Sequence, residues 1–269
     1  MEYPSIQILE KQFDDQPFRY PLFNHMLKLF FQDRREHYAW GAICATDLAY
    51  QLSLDRISFA EFGVASGNGL IELEKIALVL EAIYGIQIDV HGFDMGVGLP
   101  EIAGYRDLPN LWSKGYFPMD EQKLRSQLKK AELHLGNVSD TIPVFLDSSP
   151  SPVAFVAHDL DLYSSTIDAF KLFEDKEDYL LPRVHIYFDD IIGFTYSKFN
   201  GERLAIEEFN ARNEKRKIDQ IYRLSFFLGK RTFWDESIYL LHIFDHALYA
   251  KNDGLLQISV IQNNNCPLD

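Results

Sequence analysis

The chain has 269 residues, enough for one large α/β domain or two small ones. Hydrophobic residues at 47% and aromatics at 14% suffice for a packed core, which excludes wholesale disorder. A formal charge of −14, with no Lys/Arg cluster to offset it, argues against nucleic acid or an anionic membrane surface as main partner and favours a cation or a positively charged ligand.

Residues 1–55 read as helical, with the periodic apolar runs YPLFNHMLKLFF and YAWGAICATDLAYQL, and form an N-terminal helical cap ahead of a single compact unit over 56–269. MEYPSIQILEKQF shows no secretory leader. ISFAEFGV (57–64) is a β-rich run that ends in small residues and leads into a helix, LIELEKIALVLEAIYG (70–85). That helix is the most apolar stretch of the chain, yet it is too short and too charged for a bilayer span of roughly 20 apolar residues. IDVHGFD (88–94) is a second strand. The segment 95–119, rich in Gly, Pro and aromatics, has the length of a lid or binding loop. A helix over about 120–130, the strand ELHLGN, the strand PVAFVAHD (152–159) and a helix from Ser165 to Asp178 follow. Then come the strand RVHIYFDD (183–190), the amphipathic helix GERLAIEEFNARNEKR (201–216), and two closely spaced strands, IYRLSFFL (221–228) and SIYLLHIF (237–244). This alternation predicts an α/β fold: a doubly wound, Rossmann-like, mostly parallel sheet of about seven strands, the last antiparallel. The two cysteines, Cys44 and Cys266, make neither a disulfide framework nor a CxxC metal pattern, which fits a soluble, cytoplasmic protein.

Open α/β sheets bind ligands at the carboxyl ends of their strands, so the acidic strand ends Glu61, Asp94, Asp159 and Asp189/Asp190 belong together. EFGVASGNG places Gly63, Gly67 and Gly69 between a strand and a helix, as Gly-x-x-x-Gly-x-Gly rather than the dinucleotide pattern Gly-x-Gly-x-x-Gly. Such a turn serves a nucleotide-type site or is merely structural. Asp94, at the end of the second strand, suits a pair of ribose hydroxyls; the alternative is an Asp that bonds its own turn. Ser164, Ser165 and Thr166 precede a helix, and Ser165-x-x-Asp168 reads as a capping box. Asp161 is open between a turn and a ligand role. His158, His242 and His246 qualify as general bases by residue type only.

Glu61-Phe62-Gly63-Val64-Ala65-Ser66-Gly67 resembles the first motif of class I S-adenosylmethionine-dependent methyltransferases. Phe93-Asp94 with Gly98-Leu99-Pro100, the string Asp159-Leu160-Asp161-Leu162-Tyr163-Ser164-Ser165-Thr166, and Phe188-Asp189-Asp190 are similar to segments of the macrocin O-methyltransferase-like family. The four motifs, in order, cover about 57–195. They differ from that family at Gly96, Val97 and Leu160, and the family's C-terminal segment is absent from 220–269.

The resemblance implies an S-adenosylmethionine-dependent O-methyltransferase, acting on a small hydroxylated molecule such as a sugar or natural-product glycoside. It implies that Glu61, Gly63 and Gly67 line the methionine part of the cofactor, that Asp94 holds the ribose, and that Asn137 lies near adenine, where the other reading is an ordinary turn Asn. It also implies a divalent metal, Mg²⁺ by ligand chemistry, held by Asp159, Asp189 and Asp190. Neighbouring parallel strands lie about 4.8 Å apart, so these carboxylates repel unless a cation or protons intervene. The expected catalytic residues are Asp159 and His158. Two alternatives stand beside this reading: a methyltransferase-like protein that binds without catalysis, and another nucleotide-dependent α/β enzyme. The aromatics of the N-terminal helices leave room for a homo-oligomer interface.

Overall fold

The computed structural model describes residues 3–32, 34–251 and 253–255. Cys266 lies outside them. Seven strands form one sheet in the order β3-β2-β1-β4-β5-β7-β6. They are β1 (Arg56–Phe62), β2 (Gln87–Asp94), β3 (Glu132–Leu135), β4 (Val153–His158), β5 (Leu180–Phe188), β6 (Arg216–Gln220) and β7 (Ile238–Ile243). The first five are parallel; β7 lies antiparallel between β5 and β6. The expected doubly wound sheet with an antiparallel last strand is therefore present.

The central strands explain their own sequences. β4, VAFVAH, is buried at all six positions because helices cover both faces of a parallel sheet. Two hydrophobic cores result: Ile57 and Phe59 of β1 join one, Ala60 and Phe62 the other. The first core holds the N-terminal helices α2 (Tyr20–Phe30) and α3 (Glu36–Gln51), which follow the short α1 (Ile6–Glu10), and α4 (Asn68–Tyr84). After the short α5 (Glu121–Gln127) that precedes β3, the second holds α6 (Val138–Asp147), α7 (Tyr163–Ala169) and α8 (Gly201–Arg212). α3 is buried along 13 of its 16 residues, so it works as one of the sheet's covering helices. Arg19, just before α2, and Asp47 on α3 form a buried bidentate pair at 2.8 and 2.5 Å. Among the described residues no helix is long and apolar enough to cross a membrane.

Three local expectations are corrected. The stretch 221–228 is not a strand. Arg223 adopts a left-handed conformation (φ 57°), and 224–228 forms the helical turn α9 (Leu224–Leu228), with the Phe227 ring packed on Tyr20 of α2 at 4.4 Å. The strand instead is β6, RKIDQ, which starts at Arg216, the last residue of the stretch read as helix, and runs through 217–220, which carried no reading. The Asn210 side chain bonds both N–H and C=O of Ile218 (2.8 and 2.7 Å) and pins that edge strand beside α8. An edge strand with one buried side chain carries no alternation to read. Finally, the helix after β4 starts at Tyr163 without the Ser165 capping box, and gives way to 3₁₀ turns after Ala169. Asp107, from the loop 95–119, does the capping: its carboxylate accepts from Ser164 N at 2.8 Å and from Ala103 N at 2.9 Å.

Candidate functional site

The carboxyl ends of β1, β2, β4 and β5 open into one cavity of about 330 Å³, closed on one side by the loop 95–119. Gly63, Asp94, Asn137, Asp159, Asp189 and Asp190 all line it. Six of the nine site residues singled out from the sequence thus converge on one space, with Glu61 directly behind the glycine turn.

The turn after β1 is tight. Gly63 has φ +86°, and a Cβ there would stand 1.7 Å from the carbonyl oxygen of Asp159. Gly67, φ +85°, is the N-cap of α4, and a Cβ there would strike Leu124. Left-handed φ and close approach both require glycine at these positions. Asp94 clasps the same turn: Oδ2 accepts from Ala65 N at 2.9 Å and Oδ1 from Gly96 N at 2.6 Å. The turn reading of Asp94 is thus met, while its carboxylate also faces the cavity. Glu61 is 2% exposed. Its Oε1 accepts from Tyr38 at 2.7 Å, but Oε2 has no partner among the described residues. Burial lifts its pKa to about 8. A buried carboxylate oxygen left without a donor is costly, and an ammonium group is a donor of the kind that would satisfy it. Trp112, on the loop, lines the cavity and also has a buried Nε1–H without a partner among the described residues.

The second half of the cavity is acidic. Oxygens of Asp159, Asp161 and Asp190 lie within 4.8 Å of one another. Asp161 is the member the sequence left unassigned. It sits at φ +60°, and its N–H donates to Asp190 Oδ2 at 3.0 Å. Asp189 lines the same cavity one step outside this trio and accepts from Tyr187 Oη. Tyr196, not singled out beforehand, donates to Asp190 Oδ1 at 2.8 Å. Burial, then repulsion from neighbouring carboxylates, raises Asp159 well above the carboxylate range and Asp161 to about 8. Burial also lifts Asp190, to about 6, against the Tyr196 bond. A compact all-oxygen donor set that cannot ionise fully alone fits a hard divalent ion.

The histidines lie elsewhere. His158 is fully buried among Phe62, Phe170 and Phe188, with Nε2 3.2 Å from Thr166 Oγ1. Burial lowers its pKa to about 3, and it does not line the cavity. It ends β4 next to Asp159, and strand alternation turns the two side chains apart. His242 bonds Tyr249 Oη and His246 the carbonyl of Leu180, also outside the cavity. Asn137 caps α6 through Ser139 N (3.2 Å) at the cavity's edge. Tyr196 gave no signal in the sequence, because only the folded loop brings it to the strand ends, whereas Trp112 belongs to the aromatic loop 95–119 read as a lid.

No protein-family model matches the sequence, and no curated protein matches it. Solved structures do. The calicheamicin methyltransferase CalS11 is similar with a TM-score of 0.56 at 19% identity, over 89% of this chain and 91% of that one. The O-methyltransferase NovP is similar at 0.50 and 16% identity, over 76% and 79%. Likeness at these identities is likeness of fold. The chain has a Rossmann-like methyltransferase fold; the narrower resemblance to the macrocin-like family rests on the sequence motifs.

Proposed function

We propose that this protein is an S-adenosylmethionine-dependent O-methyltransferase, assisted by a divalent cation, acting on a small hydroxylated acceptor such as a sugar or natural-product glycoside. The observation that carries the reading is the joining, in one cavity, of the glycine turn backed by the unpartnered Glu61 oxygen with the Asp159–Asp161–Asp190 trio. Two neighbours of the same fold are described as a calicheamicin methyltransferase and an O-methyltransferase.

Glu61 and Asp94 would hold the amino acid and ribose ends of the cofactor, with Asn137 at the edge near the base. When bound, S-adenosylmethionine supplies a methyl group on a positively charged sulfur. Asp159, Asp161 and Asp190 would hold Mg²⁺ or a similar ion, which supplies charge that favours the ionised acceptor hydroxyl. The chain's part is binding, orientation and exclusion of water. The loop 95–119 brings Trp112, Tyr116 and Phe117 over the cavity, and its contacts Leu99 N–Tyr116 O and Gly115 N–Leu99 O (both 2.8 Å) fold it back on itself.

S-adenosylhomocysteine at about 100 times its Kd should stabilise the protein by roughly 2.7 kcal/mol, a melting shift of roughly 5–10 °C, while NAD should leave it unchanged. Methyl transfer to a panel of hydroxylated sugars and glycosides should require added divalent ion and fall about 10²-fold or more in Asp159→Asn. Absence of any shift with S-adenosyl ligands would end the reading. Cofactor binding without turnover on any acceptor would favour a binding protein, and activity indifferent to chelator would remove the metal alone.

A further inference from the structure

Outside the cavity, β2 and β3 gather three metal-binding side chains at the edge of the sheet. The parallel register sets His91 opposite Glu132 and Phe93 opposite His134, so all four side chains share one face. His91 Nδ1 and His134 Nε2 are 3.2 Å apart, and Glu132 Oε2 is 3.8 Å from His91 Nδ1. One ligand atom from each residue falls within 4.8 Å of the others. The rings are held in place: Phe93 stacks on His134 at 4.5 Å and 15°, and Phe145 packs against both imidazoles at 4.8 and 5.4 Å. Burial lowers the pKa of His91 to about 4 and also lowers that of His134, which keeps both rings in the neutral form that ligates metals. Two imidazoles on a tetrahedral ion with bonds of about 2.0–2.1 Å have their nitrogens about 3.3 Å apart, close to the separation here.

We propose that His91, Glu132 and His134 form a second metal site, for a transition-metal ion of the Zn²⁺ class, with two imidazole nitrogens, one carboxylate and a remaining position for water. The donor set is opposite in character to the all-oxygen trio of the cavity. Imidazole selects Zn²⁺, Co²⁺ or Ni²⁺, whereas carboxylates alone suit Mg²⁺. Its place in the fold gives it a structural task. β3 has four residues and, among the described residues, pairs only with β2. An ion bridging His91 to Glu132 and His134 would tie that edge strand down, and Gly136 and Asn137, which line the cavity, follow it directly. The site is independent of the reaction proposed above.

The test uses tag-free, chelator-treated full-length protein in saturating Mg²⁺, which occupies the acidic trio. Calorimetric titration should show one Zn²⁺ per chain and a raised melting temperature. Co²⁺ should give the visible absorption of a tetrahedral nitrogen/oxygen site. Glu132→Gln, at an exposed carboxylate, should weaken Zn²⁺ binding about tenfold or more, and His134→Gln should weaken it further. Nitrogen NMR of the wild type gives a readout that needs no variant: Zn²⁺ should shift His91 Nδ1 and His134 Nε2 together. The proposal fails if no Zn²⁺ binds in the presence of Mg²⁺, or if both variants bind as the wild type does. It fails equally if the two nitrogens keep the signature of a simple N–H···N hydrogen bond at saturating Zn²⁺.

Discussion

Glu61 is buried at the end of β1 with its pKa lifted by that burial from 4.5 to about 8. A raised acid keeps its proton in the folded state after the unfolded chain has released it. Its stabilising contribution is therefore complete below about pH 4.5 and is lost as pH rises through about 8. The melting temperature of ligand-free protein should fall across that window, and Glu61→Gln, which cannot ionise, should flatten the fall while weakening S-adenosylhomocysteine binding. The raised carboxylates of the acidic trio act in the same direction, so part of the slope stays. A slope identical in wild type and variant would refute the assignment. Gly63→Ala should be more damaging than its size suggests. It places a side chain at φ +86° and against the Asp159 carbonyl, a cost of about 2 kcal/mol or more, read as a lower denaturation midpoint with unchanged slope. At this scale the sequence was informative about Glu61, Gly63, Asp94 and Asp159, whose strand-end positions follow from local pattern. It was uninformative about His158, because adjacency to Asp159 says nothing of which face a strand residue takes.

The elements show where local rules give way to tertiary contacts. The serines before α7 look sufficient to start a helix, yet the acceptor for Ser164 N is Asp107, 57 residues earlier. One carboxylate bonding Ala103 N and Ser164 N fastens the loop 95–119 to the helix behind the acidic trio. Asp107→Ala should remove the acceptor of two charge-assisted hydrogen bonds, from Ala103 N and Ser164 N, at a cost of about 2 kcal/mol by urea denaturation, and should loosen cofactor binding as the loop detaches. Unchanged stability would show that water replaces the carboxylate. The exchange of strand and helix near the C-terminal end has the same origin. RKIDQ lacks β-rich character and becomes β6 through its ladder to β7 and its bonds to Asn210. IYRLSFFL has strand composition and coils because Arg223 turns left-handed and Phe227 meets Tyr20.

For the molecule as a whole, the order β3-β2-β1-β4-β5-β7-β6 brings four acidic strand ends to one rim and gives both faces of the sheet a hydrophobic core. The N-terminal helices belong to that architecture. Asp47 on α3 takes Arg19 in a bidentate pair and also accepts from Tyr84 of α4, so one buried group joins three segments. Asp47→Ala leaves Arg19 with only Glu10 as its acidic partner (2.7 Å) and should cost about 2 kcal/mol or more, seen as a loss of global stability in denaturant, not a local change at the cavity. A shift below 1 kcal/mol would mean that the N-terminal helices detach without consequence.

The sequence by itself determined the alternation of strands and helices, the place of the glycine turn and the acidic ends of β1, β2, β4 and β5. These depend on side-chain period and on residues that must satisfy backbone geometry within a few positions. Tertiary structure decided which of those acids meet. Asp161, left-handed after β4, joins Asp159 and Asp190, while Asp189 lines the cavity outside that trio. It also decided that His158 sits in the core, that Asp107 caps a distant helix, and that His91 and His134 lie 3.2 Å apart. Each is a distance between segments remote in sequence, set by the packing of the whole chain.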